Sequence, residues 1–216
     1  MIDKDCYTSV PGLLVAGEDA GGSHGANRLG GNGVAESTVY GCRAGSTAAA
    51  EAAKRDFLPF NEEDVQASIR KTETPLKSGP GITPFDLTRR LKDSMWVNCG
   101  VVRSAEGLNR AQSDVKALND ELKEVRISSS RAFNVGWNEY LDLENQLTVA
   151  ESMIDSAIIR TETRGSHTRS DFPDSDHANW LRYIVYRKVG SNKADISLRD
   201  VEFTRVKPEF DEDGDS

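Results

Sequence analysis

The stretch Val10–Gly45, VPGLLVAGEDAGGSHGANRLGGNGVAESTVYGCRAG, decides how the rest of the chain is read. Leu13, Leu14, Val15 and Ala16 form a short apolar run bounded by Pro11-Gly12 and by Gly17, the pattern of a buried strand. Six glycines follow between Gly21 and Gly33, with His24, Asn27, Arg28 and Asn32 among them. From about Asn32 to Arg55 the small residues Val34, Ala35, Val39, Ala44, Ala48 and Ala49 predict a helix. Glycine lets the backbone approach a ligand closely, and a helix N-terminus offers unpaired N–H groups and partial positive charge. Strand, loop and helix therefore predict a site for an electron-rich group.

Working outward, residues 1–10 are short and polar. Residues 56–83, with Pro59, Pro75, Pro80, Gly79 and Gly81, read as a linker, in which Asn61–Asp64 can start a short helix. From Pro84, with Thr83 as cap, the pattern turns helical: Leu87, Leu91 and Met95 fall on one face. Leu108, Ala111, Val115, Leu118, Leu122 and Val125 follow in steps of three and four, a continuous apolar stripe. After Ser128-Ser129-Ser130, a helix from about Asn134 to Arg160 offers Trp137, Leu141, Leu147, Ile154 and Ile158 for packing. Residues 84–160 thus predict a three-helix bundle. Trp180–Tyr186 and Ile196–Phe203 read as strands, and Gly190-Ser191-Asn192 can turn between them to make a hairpin.

The net charge of −8 argues against a general nucleic-acid surface. The tail Asp211–Asp215 reads as a solvated end. Cys6, Cys42 and Cys99 are odd in number and far apart, as in a reduced cytosolic protein. No apolar run approaches the roughly 20 residues of a membrane helix, and neither a signal peptide nor a metal-ligand spacing is present.

Gly17-Glu18 and His24-Gly25-Ala26-Asn27-Arg28-Leu29-Gly30-Gly31-Asn32 closely resemble the flavoprotein subunit of succinate dehydrogenase and fumarate reductase. Far downstream, Arg160-Thr161-Glu162-Thr163-Arg164-Gly165-Ser166-His167-Thr168-Arg169-Ser170-Asp171-Phe172-Pro173 matches a second motif of that family, in the same order. The resemblance runs from the N-terminus to about Pro208 and is weak near 55–82. It implies an α+β chain: the end of an FAD-binding α/β domain over 1–55, a linker over 56–83, a helical domain with a small hairpin over 84–207 and an acidic tail over 208–216. The family's strand–GxGxxG–helix unit lies several hundred residues earlier, so the chain is expected to be the C-terminal part of a longer protein.

The resemblance further implies FAD as cofactor, a dicarboxylate (succinate or fumarate) as substrate, and hydride transfer to or from flavin N5. Glu18 would hold the ribityl chain. Asn32, Gly33 and Val34 would serve the flavin edge, Gly33 and Val34 through backbone N–H groups that stabilise negative charge on it; the family often has Ser-Leu there. Arg28 would bind one substrate carboxylate, since a planar guanidinium holds a carboxylate by two parallel hydrogen bonds. His24 can act as a general base, as a donor to substrate or as a structural histidine. Asn27 would fix the loop. The family's proton-transferring arginine and its FAD-tethering histidine lie upstream, so no catalytic residue is assigned to this portion and the chain alone is expected to be inactive. The dense run Arg160, Glu162, Arg164, His167 and Arg169 reads as an ion-pair network at a domain junction; a reach of Arg164 or His167 into the active site is the alternative. His177 reads as a solvated loop residue. An iron–sulfur protein is the implied partner, with a cytoplasmic location, peripheral to the inner membrane through partner subunits. Two rival readings stand beside this one: an L-aspartate oxidase-like flavoenzyme, and a non-catalytic short product acting as an assembly or binding module through the stripe 108–125 and the acidic tail.

Overall fold

The computed structural model describes residues 2–57, 59–77, 79–189 and 194–208, and it divides into two units, Met1–Glu62 and Glu63–Ser216. The first unit holds α1 (Asn32–Ala52) and the loops before it. The expected buried strand at 13–16 does not form. Leu14 pairs with Tyr7 in an isolated antiparallel bridge, and Leu13 is 51% exposed. A strand is stabilised by a ladder of neighbours, and among the described residues this run finds only the short turn at 6–15, where Val15 N–H donates to Cys6 O (3.1 Å) and Thr8 N–H to Leu13 O (3.0 Å). The residues just before that turn are tied to α1 by Arg43 Nη1, which donates to Lys4 O at 2.7 Å, while Cys6 is fully buried.

The second unit begins inside the stretch expected as a linker. Residues 62–73 form α2 (Glu62–Glu73), and the chain after it pairs with its own unit through the parallel bridges Leu76↔Ile127 and Ile82↔Val125. Trp137 Nε1 donates to Thr72 O at 2.8 Å, anchoring the end of α2. The prolines there terminate helices without freeing the chain, because extended segments beside the bundle still find backbone partners.

Three helices carry the core: α3 (Pro84–Asn98), α4 (Ala105–Glu121) and α5 (Val135–Ile159). Pro84 stands at the first helical position with Thr83 as cap, its side chain accepting from Asp86 N–H at 3.3 Å. Ser104 and Asn134 cap α4 and α5 in the same way. Every member of the stripe from Leu108 to Val125 is buried. The helix itself stops at Glu121, and a 3₁₀ turn over Leu122–Glu124 delivers Val125 to its bridge with Ile82. On α5 the buried face runs through Leu143, Leu147, Ala150, Ile154 and Ala157, so Leu143 takes the inward place expected for Leu141.

Between α3 and α4, β1 (Val102–Arg103) pairs in parallel with β2 (Thr168–Arg169), which follows α5. A single turn of helix, α6 (His177–Trp180), is capped by Asp176 and takes up Trp180, which was expected to begin a strand. The hairpin then forms from β3 (Arg182–Lys188) and β4 (Ala194–Asp200), antiparallel, with Arg182 opposite Asp200. Its expected turn at Gly190–Asn192 and the acidic residues Asp211–Asp215 lie outside the described residues. Among the described residues the architecture is thus mixed, helices with two small sheets.

Candidate functional site

The site is in the first unit, where the glycine-rich loop folds back on the N-terminal turns of α1. Gly31 precedes the helix in the left-handed conformation (φ 84°). No side chain caps α1 among the described residues, and its first turn carries no acidic residue. Asn32 N–H donates to Leu29 O at 3.2 Å, and the N–H groups that follow it stand at the positive end of the helix dipole. Gly17, also left-handed (φ 86°), lets the loop approach the helix closely: a Cβ there would stand 3.2 Å from Ser37 Oγ.

A cavity of about 490 Å³ opens between loop and helix. Glu18, His24, Arg28, Gly33, Val34 and Glu36 line it, with Ala20, Ser37 and Thr38 completing the wall. Five residues singled out in the sequence thus share one cavity, while Asn32 opens α1 and is not part of the lining. Arg28 folds over the start of the helix: a Cβ on Gly33 would stand 2.5 Å from Arg28 Nη1 and 3.1 Å from Cζ. The guanidinium occupies the space that a side chain at position 33 would take. Arg28 is thus a cation at the positive end of the helix, in the field of Glu36 and across a cavity that Glu18 also lines.

Glu36, which the sequence reading did not single out, is the buried centre of the loop. It is 4% exposed, accepts from Ser23 Oγ at 2.6 Å and pairs with His24 Nε2. The Ser23 hydrogen bond, opposed by burial and aided by His24, holds its carboxyl below the usual range. The signal available in the sequence was modest: a carboxylate in the first two turns of a helix that carries few charges, behind a loop offering Ser23 and His24. His24 is therefore oriented by Glu36 through Nε2, which leaves Nδ1 for other partners.

In the second unit, the downstream motif joins residues of that unit to one another. Glu162, fully buried, pairs with Arg160 (2.6 Å) and Arg164 (2.8 Å). Burial would raise its carboxyl, but hydrogen bonds from Arg164, from Asp176 N–H and from Arg160 hold it below the usual range. Arg169, 2% exposed, binds Asp171 through two nitrogens and donates to Ala157 O (2.7 Å) and Arg160 O (3.0 Å) at the end of α5. His177, expected in a solvated loop, starts α6 and lies half-buried, 3.2 Å from Arg164 Nη2. Burial, and then Arg103, pushes the His167 imidazole down. Among the described residues, no group of three His, Cys, Asp or Glu side chains can hold a metal ion, and no helix is long and apolar enough to cross a membrane.

Comparison with known proteins supplies the family. The family model described as fumarate reductase flavoprotein C-term matches residues 88–212. One chain of the fumarate reductase (CoM/CoB) of Methanothermobacter marburgensis is 37% identical over 190 residues, covering 87% of this chain and 34% of its own. The fumarate reductase flavoprotein of Escherichia coli is 31% identical, with 95% of this chain and 35% of its own covered. Among solved structures, Mycobacterium smegmatis Sdh1 in complex with UQ1 superimposes with a TM-score of 0.86 at 33% identity, over 94% of this chain and 35% of that one. A quinol-fumarate reductase with menaquinol molecules gives 0.86 at 28% identity, over 97% and 37%. The chain spans about a third of the length of the curated relatives it matches. It belongs to the FAD-dependent flavoprotein family of fumarate reductases and succinate dehydrogenases and corresponds to that family's C-terminal part.

Proposed function

We propose that this chain supplies the flavin-edge and substrate-carboxylate contacts of an FAD-dependent oxidoreductase that interconverts succinate and fumarate. The observation that carries the reading is the shared cavity: an uncapped helix N-terminus, the Arg28 guanidinium lying on Gly33 and the Glu18 carboxylate meet at one wall. The residues present fit the cofactor. A bare Cα and open N–H groups suit the electron-rich edge of a flat ring, and Glu18, exposed at the cavity, suits sugar-like hydroxyls. FAD, when bound, supplies the two-electron donor or acceptor for the dicarboxylate, by hydride exchange at N5.

The chain's own residues then divide the work. Gly33 and Val34 N–H groups would donate to the electron-rich edge of the ring. Glu18 would accept from the ribityl hydroxyls. Arg28 holds one substrate carboxylate in a two-point grip and fixes its orientation. Glu36 keeps His24 in place beside that grip. Asn32 acts through its position at the head of α1 rather than through a cavity-facing side chain. The proton-transferring residue is assigned to a portion outside this chain, so the chain alone is expected to be inactive. In this reading residues 1–55 are the end of an FAD domain and 84–207 the helical domain. An iron–sulfur protein is the partner, and membrane association is peripheral, through partner subunits.

The test is to add fumarate, succinate or L-aspartate to the full-length flavoprotein and follow the flavin absorbance. Reoxidation of reduced flavin by fumarate, or its reduction by succinate, supports the reading. Reduction by L-aspartate alone replaces it with an L-aspartate oxidase activity. Arg28→Gln should lower kcat/KM by about 100-fold through loss of a charge-assisted contact. An unchanged value would remove Arg28 from the substrate site. A native, flavin-free protein of 23.7 kDa with no response to any of the three would favour the assembly-module reading.

A further inference from the structure

A second cavity, of about 370 Å³, lies wholly within the second unit. Arg103, Arg160 and His167 form its polar side, Ser152 and Ser156 of α5 contribute hydroxyls, and Met153, Ile184 and Tyr186 form an apolar side. No residue of the first unit takes part.

The state of Arg103 sets this cavity apart. Its Nε donates to Gly100 O (2.8 Å) and Cys99 O (3.3 Å), which fixes the plane of the guanidinium. Its Nη1 donates to His167 Nδ1 at 2.7 Å, so the imidazole carries its proton on Nε2, facing Arg160 O at 3.4 Å. Among the described residues Arg103 forms no ion pair. The neighbouring guanidiniums do: Arg160 and Arg164 share Glu162, and Arg169 has Asp171. Arg164 also lies in the field of Asp176, so of these four guanidiniums Arg103 is the one with no carboxylate partner among the described residues. The carboxylates of α5 near the cavity form no ion pair with Arg103 among the described residues. Glu151 and Asp155 act on Tyr186, where after burial they help to raise the phenol, and Asp155 accepts from Gln112 Nε2 at 2.8 Å. A half-buried guanidinium, held rigid and without a counter-charge, attracts an anion more strongly than a mobile surface arginine does. Preorganisation lowers the entropy lost on binding.

We infer that this cavity is a binding site for a small organic anion, its carboxylate or phosphate head on Arg103 and its short apolar body against Met153, Ile184 and Tyr186. The volume is at the small end of the range for ligand pockets. The site is separate from the cavity proposed for flavin and dicarboxylate, so the two proposals can fail independently.

The test is an NMR titration of the 216-residue chain, following Arg103 Nε–H and the Tyr186 amide, with butyrate and with inorganic phosphate, against sodium chloride at equal ionic strength. Saturable shifts in the millimolar range that chloride does not reproduce are the expected result; the tighter of the two probes identifies the head group. Arg103→Gln should weaken binding about tenfold or more. Because that variant also loses the His167 contact, Ser152→Asp provides a second test: a carboxylate on the cavity wall should abolish binding while the fold stands. Shifts that do not saturate, that chloride matches, or that persist unchanged in Ser152→Asp overturn the inference.

Discussion

In the first unit the 21-residue helix α1 buries one residue, and that residue is the carboxylate Glu36; Val34 and Val39 stand 77% and 61% exposed. In the second unit α5 buries Leu143, Leu147, Ala150, Ile154 and Ala157 against the stripe of α4 and against Leu87 and Leu91 of α3. Both helices are long and rich in small or apolar residues, yet they are held by different forces. Burial of apolar surface, at about 25 cal/mol per Å², accounts for α5. The loop on α1 is held by polar contacts that converge on Glu36 and by the left-handed glycines that let it approach. A region organised in this way has little apolar core of its own among the described residues, and the proposed cofactor contacts fall there.

The largest effect that would break this contrast is expected in the second unit from a polar residue. Glu162→Ala should cost about 3 kcal/mol in urea unfolding, because it leaves the half-buried Arg160 and Arg164 without their counter-charge; a cost below about 1 kcal/mol would mean that the network is solvated. The same network should make the unit acid-sensitive. His167 and Glu162 both bind their protons more weakly in the folded state, so their contribution is full above their ordinary values, 6.5 and 4.5, and is lost as pH falls below them. Urea midpoints should therefore decline from near neutrality downward, first through His167 and then through the carboxylates, and His167→Gln should flatten the upper part of that decline.

Of similar size is the effect expected in the apolar core. Leu147→Ala, at a fully buried position, should cost about 3 kcal/mol. Ser104→Ala removes the cap that accepts from Gly107 N–H at 3.2 Å and should cost about 1 kcal/mol. At the bottom of the scale, Val34→Ala and Val39→Ala in this chain should each change stability by less than about 0.5 kcal/mol. A large loss at either valine would show that α1 has an apolar partner, and the contrast between the two units would fall.

How much is legible from the sequence follows the same division. The stripe Leu108–Val125 is legible in full, because helical spacing of apolar residues reports burial directly. The cap Thr83 is legible for the equally local reason that one side chain satisfies a leading N–H group. The strand expected at 13–16 is absent, since a short apolar run states that burial is possible but not that a neighbouring strand exists. Trp180 reads as strand and closes α6, a turn decided by the Asp176 cap and by the stacking of Arg160 on its ring at 5.0 Å. Glu36 escapes a reading of the sequence because its partners, Ser23 and His24, are more than ten residues away.

The sequence by itself determined the helical bundle, the Thr83 cap and, through two motifs, the family, all of which depend on periodicity or on local residue order. The tertiary structure decided the convergence of Glu18, His24, Arg28 and Gly33 on one cavity, the burial of Glu36 beneath it, and the placing of Arg103 beside His167 rather than beside a carboxylate. Those features depend on distances between residues far apart in the chain. Such distances are set by how loops close and helices pack, which no spacing along a sequence encodes.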